Sequence, residues 1–163
     1  MDWSFPRGGA RGFVLAMLLA VTGASPGHAD TLFDTLAGTW SGTGQIRLDN
    51  GKSESLRCNA YYTQKESNGL GLSIRCANAG NKIELRANLT QERGDVDGSW
   101  EERTYNAAGT VKGKMTPSRI NLSISGGSFS GSMNVSVLGA RHSVSIETNG
   151  IGLRGVSIVL SRG

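Results

Sequence analysis

The feature that most constrains the fold is a pair of alternating apolar runs, each of which carries one of the two cysteines. The first run is Leu56, Cys58, Ala60 and Tyr62, and the second is Leu70, Leu72, Ile74 and Cys76. Small or polar residues stand between them. A period of two residues indicates β-strands that each bury one face.

These two runs predict an antiparallel hairpin with a definite register. Pairing Tyr62 with Leu72 puts both apolar sets on one face and also sets Cys58 directly opposite Cys76. Opposed β-carbons lie about 4.5–5.5 Å apart, slightly beyond the spacing of a disulfide. The bridge therefore requires a non-hydrogen-bonded pair with local adjustment. We expect a disulfide here, and the alternative is two unpaired cysteines that fill the core.

The strand before this hairpin is expected to join the same sheet. Folding the chain about Gly51 pairs Gly44 with Cys58 and Trp40 with Tyr62. This register predicts an aromatic cross-strand pair. It also places a glycine beside the expected disulfide, where it leaves room for the bridge.

The amino terminus has the pattern of a secretory signal peptide. Arg7 and Arg11 precede a short apolar run, and small residues ending in Gly27-His28-Ala29 follow. This pattern predicts a signal peptide over residues 1–29, cleaved near Ala29. The alternative, a membrane anchor, needs roughly 20 apolar residues. Residues 30–163 would then form a single domain in the bacterial periplasm or outside the cell, where disulfides persist.

The alternation continues over the rest of the chain, from Gly38 onward. Its runs are bounded by turn residues and predict an all-β, antiparallel up-and-down meander of about eight to ten strands. We expect this meander to form a barrel or a flattened barrel, with a short helical turn between Asp30 and Ala37 that plugs one end. The apolar face must point inward, the reverse of an outer-membrane barrel, so a soluble barrel is expected.

Five glycines fall on the expected inner face and have two interpretations. They are Gly42, Gly44, Gly98, Gly113 and Gly131. Glycine permits the sharp coiling that a small barrel needs. Alternatively, the missing side chains leave space for a ligand.

Composition argues against several classes of function. The formal net charge is +4, but no basic run is present, so nucleic acid is not an expected partner. A zinc site needs three or four ligands, and His142 is the single histidine after the signal peptide, so no metal or cofactor is expected. The chain lacks a Gly-x-Ser-x-Gly elbow. We expect no enzymatic activity; the alternative is an enzyme that uses His142 with a nearby carboxylate.

Arg154 shares parity with the apolar residues that follow it, which would aim it inward near one end of the barrel. A buried guanidinium is costly unless it is paired or stacked. Trp40, by cation–π stacking, and Glu102 are the candidate partners. A bulge at Gly152 or Gly155 would instead turn Arg154 outward, and both orientations remain open.

The segment Gly38-Thr39-Trp40, followed by an antiparallel meander and an arginine on the last strand, resembles the calycin pattern of lipocalins and avidins. This resemblance implies a barrel in which the arginine, here Arg154, packs across Trp40 and closes one end. Gly98-Ser99-Trp100 is similar to the Gly-x-Trp strands of avidins, without their biotin-binding set. The lipocalin Thr-Asp-Tyr motif is missing. The whole chain also resembles small exported proteins of alphaproteobacteria.

These observations favour a binding barrel for a small apolar ligand or an envelope partner. The candidate ligand contacts, in the interior or at the rim, are Trp40, Tyr62, Trp100, His142 and Arg154. One alternative is a protease inhibitor, because the chain also resembles in architecture the periplasmic metalloprotease inhibitor barrel, which has one disulfide. That hypothesis expects an exposed segment around Asp30 to Leu36. Another alternative is a structural envelope protein without a ligand.

Overall fold

The computed structural model describes Met1 and residues 31–66, 68–149 and 152–163. The expected signal peptide lies outside the described residues, apart from Met1. Within the described ranges there is no helix long and apolar enough to cross a membrane.

The described chain forms a short helix followed by ten strands. They are α1 (Leu32–Leu36), β1 (Gly38–Leu48), β2 (Ser53–Lys65), β3 (Gly69–Ala77), β4 (Lys82–Glu92), β5 (Asp95–Glu102), β6 (Ala107–Met115), β7 (Arg119–Gly126), β8 (Phe129–Leu138), β9 (Arg141–Asn149) and β10 (Leu153–Arg162). Each strand pairs antiparallel with the next, and β10 pairs with β1 to close a barrel. The predicted all-β up-and-down barrel is confirmed.

The two faces of the barrel differ as the alternation predicts. Inward side chains from the strands form one apolar core with α1. Charged side chains occupy the outer face, where Lys114 Nζ lies 2.5 Å from Asp95 Oδ1 and Lys112 Nζ lies 3.8 Å from Asp97 Oδ1. The barrel is therefore apolar inside and polar outside.

The register of the β2–β3 hairpin is the predicted one. Tyr62 pairs with Leu72, and Cys58 lies directly opposite Cys76. The two cysteine Cα atoms are 4.1 Å apart, and a disulfide joins the buried side chains. The close Cα spacing is typical of a non-hydrogen-bonded pair, as the bridge requires.

The predicted register of the β1–β2 hairpin is wrong by two residues. Trp40 lies opposite Ala60, not opposite Tyr62. The reason is the turn, in which Leu48 N donates to Lys52 O at 2.8 Å, so the chain folds about position 50. A slip of two residues leaves every side chain on its original face, so the predicted buried face is still correct.

The inner-face glycines allow the strands to coil closely. A Cβ on Gly42 would overlap the carbonyl oxygen of Val159 on β10, and one on Gly113 would overlap that of Asn121 on β7. A Cβ on Gly44 would stand 3.3 Å from the Cys58 sulfur, so this glycine does leave room for the disulfide. These contacts favour the curvature interpretation over ligand space.

The turn between β5 and β6 does not use the nearby Gly109. It covers residues 103–106, and β6 already begins at Ala107. The backbone N–H of Tyr105 donates to Glu102 Oε2 at 2.7 Å, and Asn106 adopts a φ of +54°. Gly109 is part of the ladder and pairs with Trp100. An asparagine with positive φ therefore ends the turn, and the glycine serves the strand.

Helix α1 plugs one end of the barrel, as predicted. The Asp34 carboxylate accepts hydrogen bonds from the Thr31 backbone at 2.6 Å and the Thr31 hydroxyl at 2.8 Å, which fixes the first turn. Leu32, Phe33 and Leu36 are buried in the core. Over residues 31–36 the segment is therefore inserted into the barrel, which contradicts the exposed segment of the protease-inhibitor hypothesis in this described part; Asp30 lies outside the described residues.

Candidate functional site: a cavity closed at one end

The barrel encloses a cavity of about 560 Å³. All ten strands and α1 contribute to its lining, which is mostly leucine, isoleucine and valine. None of the five inner-face glycines lines it. Small-molecule sites in proteins typically measure about 300–1,000 Å³ and are mainly apolar, so the cavity has the size and chemistry of a ligand site.

Trp40 and Arg162 seal the end that α1 plugs. The fully buried indole donates from Nε1 to Leu36 O at 2.7 Å. The Arg162 guanidinium lies 4.5 Å from the centre of the Trp40 ring. Its Nη1 donates to Ala37 O at 2.9 Å, and its Nη2 donates to Thr35 O. A single arginine thus connects β10 to Trp40 and to the helix.

Arg154 has the outward one of the two orientations that the sequence left open, so its selection as a ligand contact in the interior is wrong. Its side chain is 70% exposed, and Nε lies 3.5 Å from Asp49 Oδ1 on the outside. Opposite Arg47 stands Gly155, whereas opposite Leu48 stands Leu153, so Arg154 is the extra residue of a β-bulge. This bulge is the alternative that the sequence left open.

Arg162, not Arg154, therefore occupies the arginine position that the calycin resemblance implies. Because β1 and β10 run antiparallel, Trp40 near the start of β1 must face the end of β10. Its Cα partner is Arg162. Arg162 could have been predicted from the up-and-down topology, because a partner for Trp40 belongs at the end of the last strand.

His142 lies inside the closed end, against the same tryptophan. Its side chain is 1% exposed, and its ring centre lies 4.6 Å from that of Trp40 and 5.4 Å from that of Tyr62. Burial, and secondarily the charge of Arg162, lowers the pKa of His142 to about 4. Neither ring nitrogen has a hydrogen-bond partner in the described part of the chain. No carboxylate of the described residues is therefore hydrogen-bonded to His142, as a catalytic role would need.

Of the other candidate ligand contacts, Tyr62 and Trp100 line the cavity. Tyr62 lies near the plugged end, where burial raises the pKa of its hydroxyl group well above the ordinary value. Trp100 lies towards the other end; it donates to Ser125 O at 3.3 Å and packs edge-on against Phe129 at 5.5 Å. Trp40 and His142 close the cavity without lining it.

The mouth of the cavity, opposite α1, carries polar residues that sequence reasoning missed or misassigned. Glu102 does not pair with Arg154: its Oε1 accepts from Glu84 N at 2.8 Å. Glu54 Oε2 accepts from the Asn81 amide at 2.6 Å. Glu54 could have been found, because it shares the inward parity of the β2 residues that follow it. Across the described ranges, no cluster of three or more histidine, cysteine or acidic residues could hold a metal ion.

No protein-family model and no curated protein matches the chain. Among solved structures, the crystal structure of Rv2717c from M. tuberculosis aligns with a TM-score of 0.66 at 14% identity, covering 81% of this chain and 95% of that one. The S-type phycobiliprotein lyase CPES from Guillardia theta aligns with a TM-score of 0.60 at 11% identity, covering 81% and 90%. At such identities the likeness shows the fold alone.

Proposed function

We propose that the protein is a non-enzymatic binding barrel that holds a small apolar ligand in its interior. The cavity of about 560 Å³ carries this proposal. It extends from the plug formed by α1 to Tyr105, which is exposed, so a ligand has a way in. Apart from Tyr62 and Thr148, its wall is apolar below the rim, which suits a ligand recognised by shape and burial.

The cost of an empty cavity supports this proposal. Cavities left in protein cores cost about 24 cal/mol per Å³, which extrapolates to the order of 10 kcal/mol for this one if it stayed dry. That is comparable with the whole stability of an ordinary domain. A ligand that fills the space restores the missing contacts, whereas a purely structural protein would gain stability by filling it with side chains.

The absence of enzymatic activity is part of the proposal. His142 is the one histidine among the described residues, and it lies at the plugged end without lining the cavity. The carboxylates at the mouth, Glu54 and Glu102, belong to β2 and β5 and are bound by neutral N–H groups. This arrangement suits the retention of a ligand better than proton transfer to it.

We also propose that the protein acts outside the bacterial cytoplasm. Two observations support this: the signal-peptide pattern over residues 1–29 and the disulfide between Cys58 and Cys76, a bond that persists in oxidising compartments. Intact-mass measurement of the protein recovered from the periplasm or medium should show a new amino terminus near Ala29. An uncleaved chain in the cytoplasm would contradict this part of the proposal.

Binding is tested with a thermal-shift panel of lipids and apolar compounds on two variants that make the same substitution. Val111→Trp fills the cavity from β6, whereas Val159→Trp places the same side chain on the exposed face of β10. We expect ligands to raise the Tm of the wild type and of Val159→Trp, and not that of Val111→Trp. Ligands that stabilise all three equally, or no stabilising ligand at all, would remove the proposal and favour a structural envelope protein.

A further inference from the structure

The charged side chains described in the cavity wall are all negative. Among the residues that the structure describes, the charged side chains that line it are the carboxylates Glu54 and Glu102, and no lysine, arginine or histidine is among them. The chain as a whole carries a formal net charge of +4. A negative mouth therefore opens on a positive molecule, and general surface charge does not explain it.

Within the described residues, the two carboxylates at the mouth form no salt bridge, whereas carboxylates on the outer face do. Glu84 lies 2.8 Å from Arg86 Nη2, and Glu147 lies 2.6 Å from Arg47 Nη2. By contrast, the hydrogen bonds described for Glu54 and Glu102 all come from amide N–H groups. Neutral donors orient a carboxylate without cancelling its charge.

The hydrogen bonds also hold each carboxylate at the rim. Glu102 Oε1 accepts from Glu84 N at 2.8 Å and Oε2 from Tyr105 N at 2.7 Å. Both amide donors to Glu54 bind the same oxygen, Oε2: Asn78 at 3.1 Å and Asn81 at 2.6 Å. The wall deeper inside is almost wholly apolar. The site thus presents two oriented negative groups at its entrance and an apolar interior beyond them.

We infer that the ligand is a cationic amphiphile, an apolar body with an amine that stays at the mouth, where Glu54 and Glu102 lie. A carboxylic acid of the same shape would bring a third negative charge to these two with no cation to receive it. Partial burial lowers the local dielectric constant, which strengthens both the attraction and the repulsion. This inference rests on the proposed binding function and specifies its ligand class.

The test compares decylamine, decanol and decanoate, three probes with one alkyl chain and different head groups. Each is titrated into the wild-type protein by calorimetry at pH 7 and low salt. We expect decylamine to bind about tenfold more tightly than decanoate, with decanol between them, because the partly exposed carboxylates attract the ammonium group and repel the carboxylate group. The net positive charge of the protein would produce the opposite order, so the comparison is discriminating.

Two kinds of variant locate the preference. Glu54→Gln and Glu102→Gln should each reduce the ratio of amine to carboxylate affinity, and the double variant should bring it close to one. Glu101→Gln is the matched control, because it removes the same charge from the neighbouring exposed position of β5 and should leave the ratio unchanged. The ratio should also shrink at high salt.

The outcomes separate the inference from the function on which it rests. If decanoate binds as tightly as decylamine, or if Glu101→Gln changes the ratio as much as Glu102→Gln, the cationic class is wrong and the binding function stands. If none of the three probes binds, the proposed binding function fails, and the inference fails with it. The comparison of the three probes on the wild-type protein tests the cationic class even if a glutamine variant folds poorly.

Discussion

His142 is a histidine that the fold holds neutral. Its pKa is about 4 in the folded protein, against about 6.5 in an unfolded chain. The unfolded state therefore takes up the proton first as the pH falls. The contribution of neutral His142 to the free energy of unfolding is complete above pH 6.5. It decreases between pH 6.5 and about 4, by roughly 3 kcal/mol in total.

Urea denaturation at pH 7, 5.5 and 4.5 measures this effect, and His142→Phe is the matched variant. Phenylalanine keeps a ring against Trp40 and removes two polar atoms that have no hydrogen-bond partner. We expect equal or higher stability at pH 7, because an unsatisfied buried polar group is costly. The decline between pH 6.5 and 4 should disappear.

Asp34 affects stability at lower pH, because its hydrogen bonds with Thr31 favour the charged carboxylate and lower its pKa. An unchanged decline in the variant would assign it to other groups.

Arg162 and Arg154 form a matched pair for testing which arginine closes the barrel. Arg162→Ala removes the contact with Trp40 and the hydrogen bonds to Thr35 and Ala37, so we expect a loss of about 1–2 kcal/mol. Arg154→Ala removes an exposed pair and should change stability by less than about 0.5 kcal/mol. Denaturant titration of both variants measures the difference. Equal losses would show that the contacts of Arg162 with Trp40, Thr35 and Ala37 stabilise the barrel no more than the exposed pair of Arg154 does.

The two arginines also show why residue roles were harder to predict than faces. Period-two parity aimed Arg154 inward, and one extra residue opposite the space between Arg47 and Leu48 reversed it. A bulge of this kind depends on how β1 and β10 meet across the whole barrel. Nothing in the local alternation marks its position, although glycines on either side of Arg154 made it an open alternative.

At the scale of elements, the β2–β3 hairpin was the most predictable part of the molecule. Apolar alternation, turn residues and the two cysteines all required the same register, and a slip of one residue would have exposed both apolar sets. The β1–β2 hairpin lacked such a fixed point. A shift of two residues keeps the face, so only the geometry of the turn decided between Ala60 and Tyr62 as the partner of Trp40.

The disulfide between β2 and β3 gives a prediction at this scale. The bridge closes a loop with a separation of 18 residues, so its removal should lower the free energy of unfolding by about 3 kcal/mol on the chain-entropy model. The double variant Cys58→Ala with Cys76→Ala is compared with the oxidised wild type by denaturant titration. A reductant should lower the stability of the wild type and leave that of the double variant unchanged. Wild-type stability that is insensitive to the reductant after full reduction would contradict the prediction.

At the scale of the whole molecule, the sequence predicted a closed apolar interior but not the space inside it. The volume of a barrel depends on the number of strands and on their tilt and stagger, which are set jointly by all pairings. The small wall residues Ala87, Ala107 and Val111 leave the centre unfilled only because strands face one another across it. No stretch of the sequence alone records that distance. The carboxylates at the mouth are a different case: Glu54 was overlooked although its parity marks it as inward, and Glu102 was assigned to the wrong partner.

The pairing of β1 with β10, the seam that closes the barrel, determines when folding can be completed. Each of the other pairings joins strands that are consecutive in the chain, so those hairpins can form in order as synthesis proceeds. The seam instead joins residues more than 100 positions apart, as in the bond between Arg162 and Ala37, which are separated by 125 residues. Contacts of such separation are slow to form. Until β10 is in place, β1 and β9 are open strand edges, and such edges can pair with other chains.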